Sequence, residues 1–114
     1  MKIYNFPDIV NGDTFKARDV SIKNDTTQTP IDLTDCLIKC EFRKDTKLGV
    51  VVETLEVGSG ITLSDAVNGI FTIDNFNVNW GAGVYYYDFQ FTFQNELIQT
   101  YFGGYMKLIQ DVTI

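Results

Sequence analysis

The side chains best suited to chemistry in this sequence are its carboxylates and two cysteines, because the chain contains no histidine. That absence removes the usual general base, the Ser–His pair and the commonest metal ligand. A glycosidase would need two positioned carboxylates. Asp74 and Asp88 both fall in predicted strand regions, but nothing in the sequence places them opposite each other in a cleft. We therefore predict no catalytic residue and no enzymatic activity.

Oxygen-bearing side chains alternate from Asp74 to Asn79, as they do in some calcium-binding loops. An EF-hand loop that began at Asn75 would need glycine at its sixth position and glutamate at its twelfth. Those positions hold Trp80 and Tyr86. We therefore attribute these asparagines to turns. The sequence predicts no metal ion, no cofactor and no small-molecule substrate.

Cys36 and Cys40 are the only cysteines in the chain. On one extended strand they share a face and lie about 13 Å apart, at a rise of ~3.3 Å per residue. A disulfide needs Cα atoms within about 7 Å, so a bridge within the strand is excluded. We expect two buried thiols that pack as small apolar side chains, and a redox role is the alternative.

The formal net charge of −6 opposes attraction to the phosphate backbone of nucleic acids. Arg43, Lys44 and Lys47 lie close together, but Asp45 interrupts them, as is usual in a solvated loop. No stretch approaches the ~20 apolar residues that cross a bilayer, and the first residues lack the pattern of a signal peptide. We predict no nucleic-acid partner, no membrane partner and assembly in the cytoplasm.

Alternation of apolar and polar residues predicts two well-defined strands, at residues 36–43 and 84–93. In the second, aromatic residues occupy every other position from Tyr85 to Phe93. This pattern predicts a central strand with a buried aromatic face, and an outward-facing platform for sugars or bases is the alternative. Tyr86 and Tyr101 lie on the face opposite the core set, where we expect them to be exposed.

Shorter predicted strands and turn signals fill the rest of the chain. We predict these strands at residues 13–23, 50–55, 61–63, 70–74, 97–102 and 105–109, with an irregular segment at 75–83 and a closing segment at 111–114. Asn68-Gly69 is expected to form a hairpin turn, and Gly103-Gly104 a bulge or bend. Seven or eight short strands in 114 residues predict a single all-β domain at residues 13–114, a two-sheet antiparallel β-sandwich.

Residues 1–12 precede this domain as an N-terminal arm or edge strand. Ile3 projects opposite to Tyr4 and Phe6, so each face of an extended arm has apolar groups to bury. The arm either pairs as an edge strand of its own sandwich or reaches a sheet edge of a neighbouring subunit. The predicted partner-binding residues are Ile3, Tyr4, Phe6, Tyr86 and Tyr101.

Several short phrases follow one another in order along residues 13–113. They are Ile31-Asp32-Leu33-Thr34, Arg43-Lys44, Gly60-Ile61-Thr62, Asn68-Gly69 and Gly83-Val84-Tyr85-Tyr86-Tyr87-Asp88. In this order they resemble the small immunoglobulin-like β-sandwich proteins of tailed-phage virions. They are similar to the N-terminal domain of the upper baseplate proteins of phages that infect Gram-positive bacteria.

The resemblance implies an immunoglobulin-like sandwich without an active site. It implies a structural or adaptor subunit of the virion, in the tail, baseplate, fibre attachment or capsid decoration, assembled in the host cytoplasm. The expected partners are other virion proteins and copies of the same chain. The alternative function is that of a host-facing carbohydrate- or receptor-binding module.

Overall fold

A computed structural model describes residues 1–112 of the protein, so that Thr113 and Ile114 of the predicted closing segment lie outside the described residues. Eleven strands and one short 3₁₀ turn, Ala66–Asn68, occur in residues 1–112. The strands are β1 (Lys2–Ile3), β2 (Ile9–Val10), β3 (Thr14–Phe15), β4 (Arg18–Ser21), β5 (Leu37–Lys44), β6 (Val51–Val57), β7 (Gly60–Asp65), β8 (Ile70–Ile73), β9 (Phe76–Asn77), β10 (Gly83–Thr92) and β11 (Ile98–Ile109). The predicted all-β class is confirmed.

Nine of these strands form one curled sheet in the order β1-β11-β10-β5-β6-β7-β8-β4, and β2 also pairs with β11. Strands β3 and β9 form a separate two-stranded sheet. The curl brings β8 over β10, where the Phe71 ring lies 5.6 Å from that of Phe89 and 5.7 Å from that of Phe91. The core therefore lies between two layers of a single sheet.

The large sheet is mixed, which differs from the antiparallel pairing that the sequence predicts. β1 and β2 run parallel to β11, and β6 runs parallel to β7. At the β6–β7 corner, Gly58 and Gly60 have φ angles of +90° and +99°, which glycine adopts without steric cost. The sharp turn carries the chain from one layer to the other within a few residues. Period-2 alternation is the same for both pairing directions, so the pattern did not reveal this corner.

The predicted central strand is confirmed, since β10 pairs with β5 on one side and β11 on the other. Its alternate aromatic side chains from Tyr85 to Phe91 are buried, as are Ile38 and Phe42 of β5. Both cysteines are free and buried, which confirms that they pack as small apolar groups. Desolvation by burial raises the pKa of the Cys40 thiol well above its ordinary value.

No break occurs in β11 at Gly103-Gly104, in contrast to the predicted bulge or bend. The irregularity lies at Tyr101, because Phe89 pairs with Phe102 while Gln90 pairs with Thr100. A Cβ atom on Gly103 would lie 2.6 Å from the carbonyl oxygen of Tyr87. The two glycines therefore allow neighbouring chain segments to approach β11 closely.

The N-terminal arm lies along the edge of β11 in its own domain. Tyr4 N donates to Gly103 O at 2.9 Å, and Phe6 N donates to Tyr105 O at 3.1 Å. A Cβ atom on Gly104 would overlap the carbonyl oxygen of Tyr4, so the arm requires glycine there. Within the single chain the arm therefore lies as an edge strand, and pairing with a neighbouring subunit stays a prediction.

Phe6 fixes the arm to the core. Its side chain is only 4% exposed and stacks on Tyr87 with ring centroids 4.6 Å apart. The hydroxyl of Tyr87 donates to the carbonyl oxygen of Tyr4. Phe6 is therefore a core residue here and not the surface contact predicted for it, because the arm turns this face inward against β11 and β10.

Candidate functional site

Two concave surfaces flank β1, and together they contain the five predicted partner-binding residues. The first, which we call the edge groove, has a volume of about 770 Å³ and lies between β1 and β4. The second, the outer hollow, has a volume of about 560 Å³ and lies on the outward face of β1, β11, β10 and β5. Tyr4, Phe6 and Tyr101 line the edge groove, Tyr86 lines the outer hollow, and Ile3 contributes to both.

The edge groove exists because β1 and β4 are the two ends of the strand order and the curl brings them near each other. Within residues 1–112, β1 pairs only with β11 and β4 only with β8. The bond from Ile22 N to Gly69 O fixes the alternation along β4, so the N–H and C=O groups of Asp19 and Ser21 point away from β8. In β1, the N–H group of Tyr4 points toward β11, so the N–H and C=O groups of the preceding Ile3 point away from β11. Two strand edges without backbone partners therefore border the groove.

Among the described residues, the contacts across the edge groove are made by side chains. The Arg18 guanidinium lies 5.7 Å from the ring centroid of Tyr4 and 5.3 Å from that of Phe6. Lys2 Nζ lies 2.9 Å from Asp25 Oδ1, and both side chains are largely exposed. Exposed ion pairs contribute about 0–1 kcal/mol, and exposed cation–π contacts about 0.5–1 kcal/mol. These contacts are weak enough for an incoming segment to displace them.

Tyr101 borders the same groove, although alternation predicts it on the outer face with Tyr86. It is the additional residue of the β11 bulge, and its ring contacts that of Phe91 edge-on at 5.1 Å. Burial raises the pKa of its hydroxyl. Because of the bulge, Tyr101 borders the edge groove, whereas Tyr86 lines the outer hollow.

The outer hollow lies beside a cross-strand row to which β11 contributes a glycine. Asp88 pairs with Gly103 on one side and with Glu41 on the other, and Ile3 of β1 pairs with Gly103 beyond it. A Cβ atom on Gly103 would lie 2.8 Å from Asp88 Cβ, so Asp88 already fills the space above this glycine. Gly104 and the exposed Ile3 form part of the lining.

The next row supplies an aromatic wall, which consists of Tyr86 and its cross-strand partner Tyr105. Their rings meet edge-on with centroids 6.2 Å apart, and Tyr105 is 41% exposed. Tyr105 is a site residue that the sequence analysis missed. Tyr105 can be recognised only from the strand register, which places it opposite Tyr86. This register depends on the bulge in β11.

Some polar side chains around the hollow are held by hydrogen bonds, and others have no hydrogen-bond partner among residues 1–112. Arg43 Nη1 donates to Gly49 O at 2.9 Å, and Arg43 Nη2 lies 3.4 Å from Glu41 Oε1. Within residues 1–112, the side chains of Asp88 and Gln90 make no hydrogen bond. The charged side chains that line the hollow are Glu41, Asp88, Arg43 and Lys47, and Met1 with its N-terminus also lies there.

The features considered for catalysis and metal binding have structural explanations. No group of three His, Cys, Asp or Glu side chains converges in the part of the chain that the structure describes. Asn75 Oδ1 accepts a hydrogen bond from Ala17 N at 2.6 Å, and Asn77 Oδ1 accepts one from Thr14 Oγ1 at 3.0 Å. The alternating asparagines therefore attach the β9 segment to the chain around β3.

No protein-family model matches the chain, and no curated protein matches it significantly. Among residues 1–112, no helix is long and apolar enough to cross a membrane.

Proposed function

We propose that this protein is a non-enzymatic structural or adaptor subunit of a tailed-phage virion, which acts through contacts with other virion proteins and with copies of itself. The observation that carries the proposal is the pair of unpaired strand edges on either side of the edge groove. Backbone donors and acceptors on an open edge are a template for another strand, and such edges are normally protected. The resemblance in phrase order supports the same class and an immunoglobulin-like origin of the curled sheet.

The two edges of the groove allow an extended segment to pair with both of them at once. Lys2 lies beside Asp25, which follows β4, while Tyr4 lies beside Arg18, where β4 begins. β1 and β4 therefore run in opposite directions, and one incoming strand pairs parallel to one edge and antiparallel to the other. Its backbone supplies affinity, and its alternate side chains meet Tyr4 and Tyr101.

A proline at Ser21 tests this mode of assembly. The N–H of Ser21 points into the groove, so Ser21→Pro removes a donor needed by an incoming strand but no bond to β8. Ser21→Ala is the matched control, because it retains the N–H group. In particles purified from the encoding phage, we expect the native chain and Ser21→Ala at equal copy number and Ser21→Pro strongly depleted.

Thermal unfolding of the three isolated proteins provides the necessary check on folding. If the native chain is missing from purified particles, the proposed function is wrong. If folded Ser21→Pro enters particles as the native chain does, assembly does not use the edge groove.

A further inference from the structure

We propose that the edge groove takes an extended acidic segment of another virion protein, with carboxylates at alternate positions that face Arg18 and Lys2. This inference rests on the proposed function and deepens it, because it names the chemistry of the strand that enters the groove. Backbone pairing alone does not select a sequence, since every strand offers the same N–H and C=O groups. The selection comes from the charged side chains of the groove.

The edge groove is a positively charged surface on an acidic protein. Its lining includes three cationic side chains, those of Lys2, Arg18 and Lys23, and two anionic ones, those of Asp19 and Asp25. Of the nine Lys and Arg and fifteen Asp and Glu residues in the chain, six and thirteen lie elsewhere. Met1 with its N-terminus also lies in the groove. An acidic segment is therefore attracted here and repelled by most of the remaining surface.

Both carboxylates of the groove already have partners. Asp25 Oδ1 lies 2.9 Å from Lys2 Nζ, and Asp19 Oδ1 accepts a hydrogen bond from Thr72 Oγ1 at 2.7 Å. By contrast, Arg18 and Lys23 form no ion pair with a carboxylate of residues 1–112. The charges that the groove leaves without a counter-charge are therefore positive.

Arg18 is restrained before a partner arrives. Its guanidinium lies 5.7 Å from the ring centroid of Tyr4 and 5.3 Å from that of Phe6, and it donates no hydrogen bond within residues 1–112. The planar N–H fork of arginine matches the two oxygens of a carboxylate. Because the rings already limit the motion of this side chain, it loses less entropy when it binds an Asp or Glu side chain.

The cations are spaced like alternate positions of a strand. Lys2 and Tyr4 are two residues apart on one face of the arm, about 6.6 Å along an extended chain, and Arg18 lies beside Tyr4. Side chains two positions apart on an incoming strand have the same spacing and also share a face. Lys2 can turn to such a carboxylate, because Asp25 is largely exposed and stays solvated without it.

The test is a titration of the ¹⁵N-labelled full chain with a short acetylated and amidated peptide in which aspartate alternates with threonine. The amide shifts of Asp19, Ser21 and Ile3, whose N–H groups point into the groove, should change in a saturable way. A matched peptide with asparagine in place of each aspartate has the same size and backbone but no charge. It should bind about tenfold or more weakly, and added salt should weaken only the aspartate peptide.

Variants separate the site from a general effect of charge. Arg18→Gln should weaken binding of the aspartate peptide about tenfold or more, and Arg18→Lys, which keeps the charge but not the fork, should fall between. Lys47→Gln removes the same charge from an exposed lysine outside the groove and should leave binding unchanged. Ser21→Pro should abolish binding, whereas Ser21→Ala should retain it.

Thermal unfolding must show that each variant is folded. Lys23→Gln changes an exposed residue and keeps the test decisive if Arg18→Gln does not fold. It should weaken binding of the aspartate peptide about two- to threefold.

Four results would overturn the proposal. They are equal binding of the two peptides, unchanged binding in folded Arg18→Gln and Lys23→Gln, unchanged binding in folded Ser21→Pro, and saturation of the same amides by inorganic phosphate at the same concentrations. Equal binding of the peptides together with depletion of Ser21→Pro from particles would overturn the charge preference alone. Absence of the native chain from particles would overturn the proposed function, whatever the peptides do.

Discussion

Replacement of Phe6 by alanine is the most direct test of how the arm is attached. The ring stacks on Tyr87 at 4.6 Å and meets Phe15 edge-on at 5.2 Å. Truncation of a buried phenylalanine typically costs about 3–5 kcal/mol of unfolding free energy. Because Phe6 lies at the edge of the sheet, where the site can partly relax, we expect the lower limit of about 3 kcal/mol. In a domain of this size that loss lowers the melting temperature by roughly 12 °C.

Ile3→Ala is the matched control, since Ile3 belongs to the same arm but is 65% exposed on its outer side. It should change the unfolding free energy by no more than about 0.5 kcal/mol. The assay is thermal and urea unfolding followed by circular dichroism, at two protein concentrations tenfold apart. The native transition should not depend on concentration if the arm packs within its own chain.

A different outcome would refute the reasoning. If Phe6→Ala melts within about 2 °C of the native protein but loses an oligomer seen by light scattering, the arm pairs with a neighbouring subunit. A concentration-dependent native melting temperature would lead to the same conclusion.

Four further predictions concern the core, the ionisable groups and metals. Phe91→Ala, at a fully buried site in β10, should cost about 3–5 kcal/mol in urea unfolding, whereas exposed Gln90→Ala should be nearly neutral. Burial raises the pKa of Tyr87 in the folded state, so stability should hold below pH ~10 and fall above it, and Tyr87→Phe should reduce that fall. Cys36 and Cys40 should not react with a thiol reagent in the native protein, but both should react in urea. A chelator should leave the melting temperature unchanged, since no cluster of metal ligands was found in residues 1–112.

Local alternation predicted the elements that it specifies by itself. In β10 every second residue is aromatic, and a shift by one residue would expose the whole set, so the buried face followed from the sequence. The same holds for β5. The pairing direction at the β6–β7 corner and the parallel docking of the arm depend on contacts between distant residues, which no local period contains.

The candidate site shows the same division between local and non-local information. Tyr86 was predicted on the outer face because it alternates with buried Tyr85 and Tyr87. Tyr101 was predicted on the same face, but the bulge changes the alternation at that residue. The place of Tyr105 beside Tyr86 becomes apparent only when the register of β10 against β11 is known.

The pairing of the arm with β11 also determines when the sheet can be completed during synthesis. β1 and β2 are translated before the other strands of residues 1–112, but the strand they pair with is the last of these. At about 5–20 residues per second, the ribosome needs roughly 5–20 s to produce the intervening hundred residues. During that interval the arm has no strand to pair with, although Phe15, one of the ring contacts of Phe6, is already present and β5 to β8 can pair with one another. Docking of the arm is therefore a late step of biogenesis, and the nascent chain carries an unpaired apolar segment until β11 has emerged.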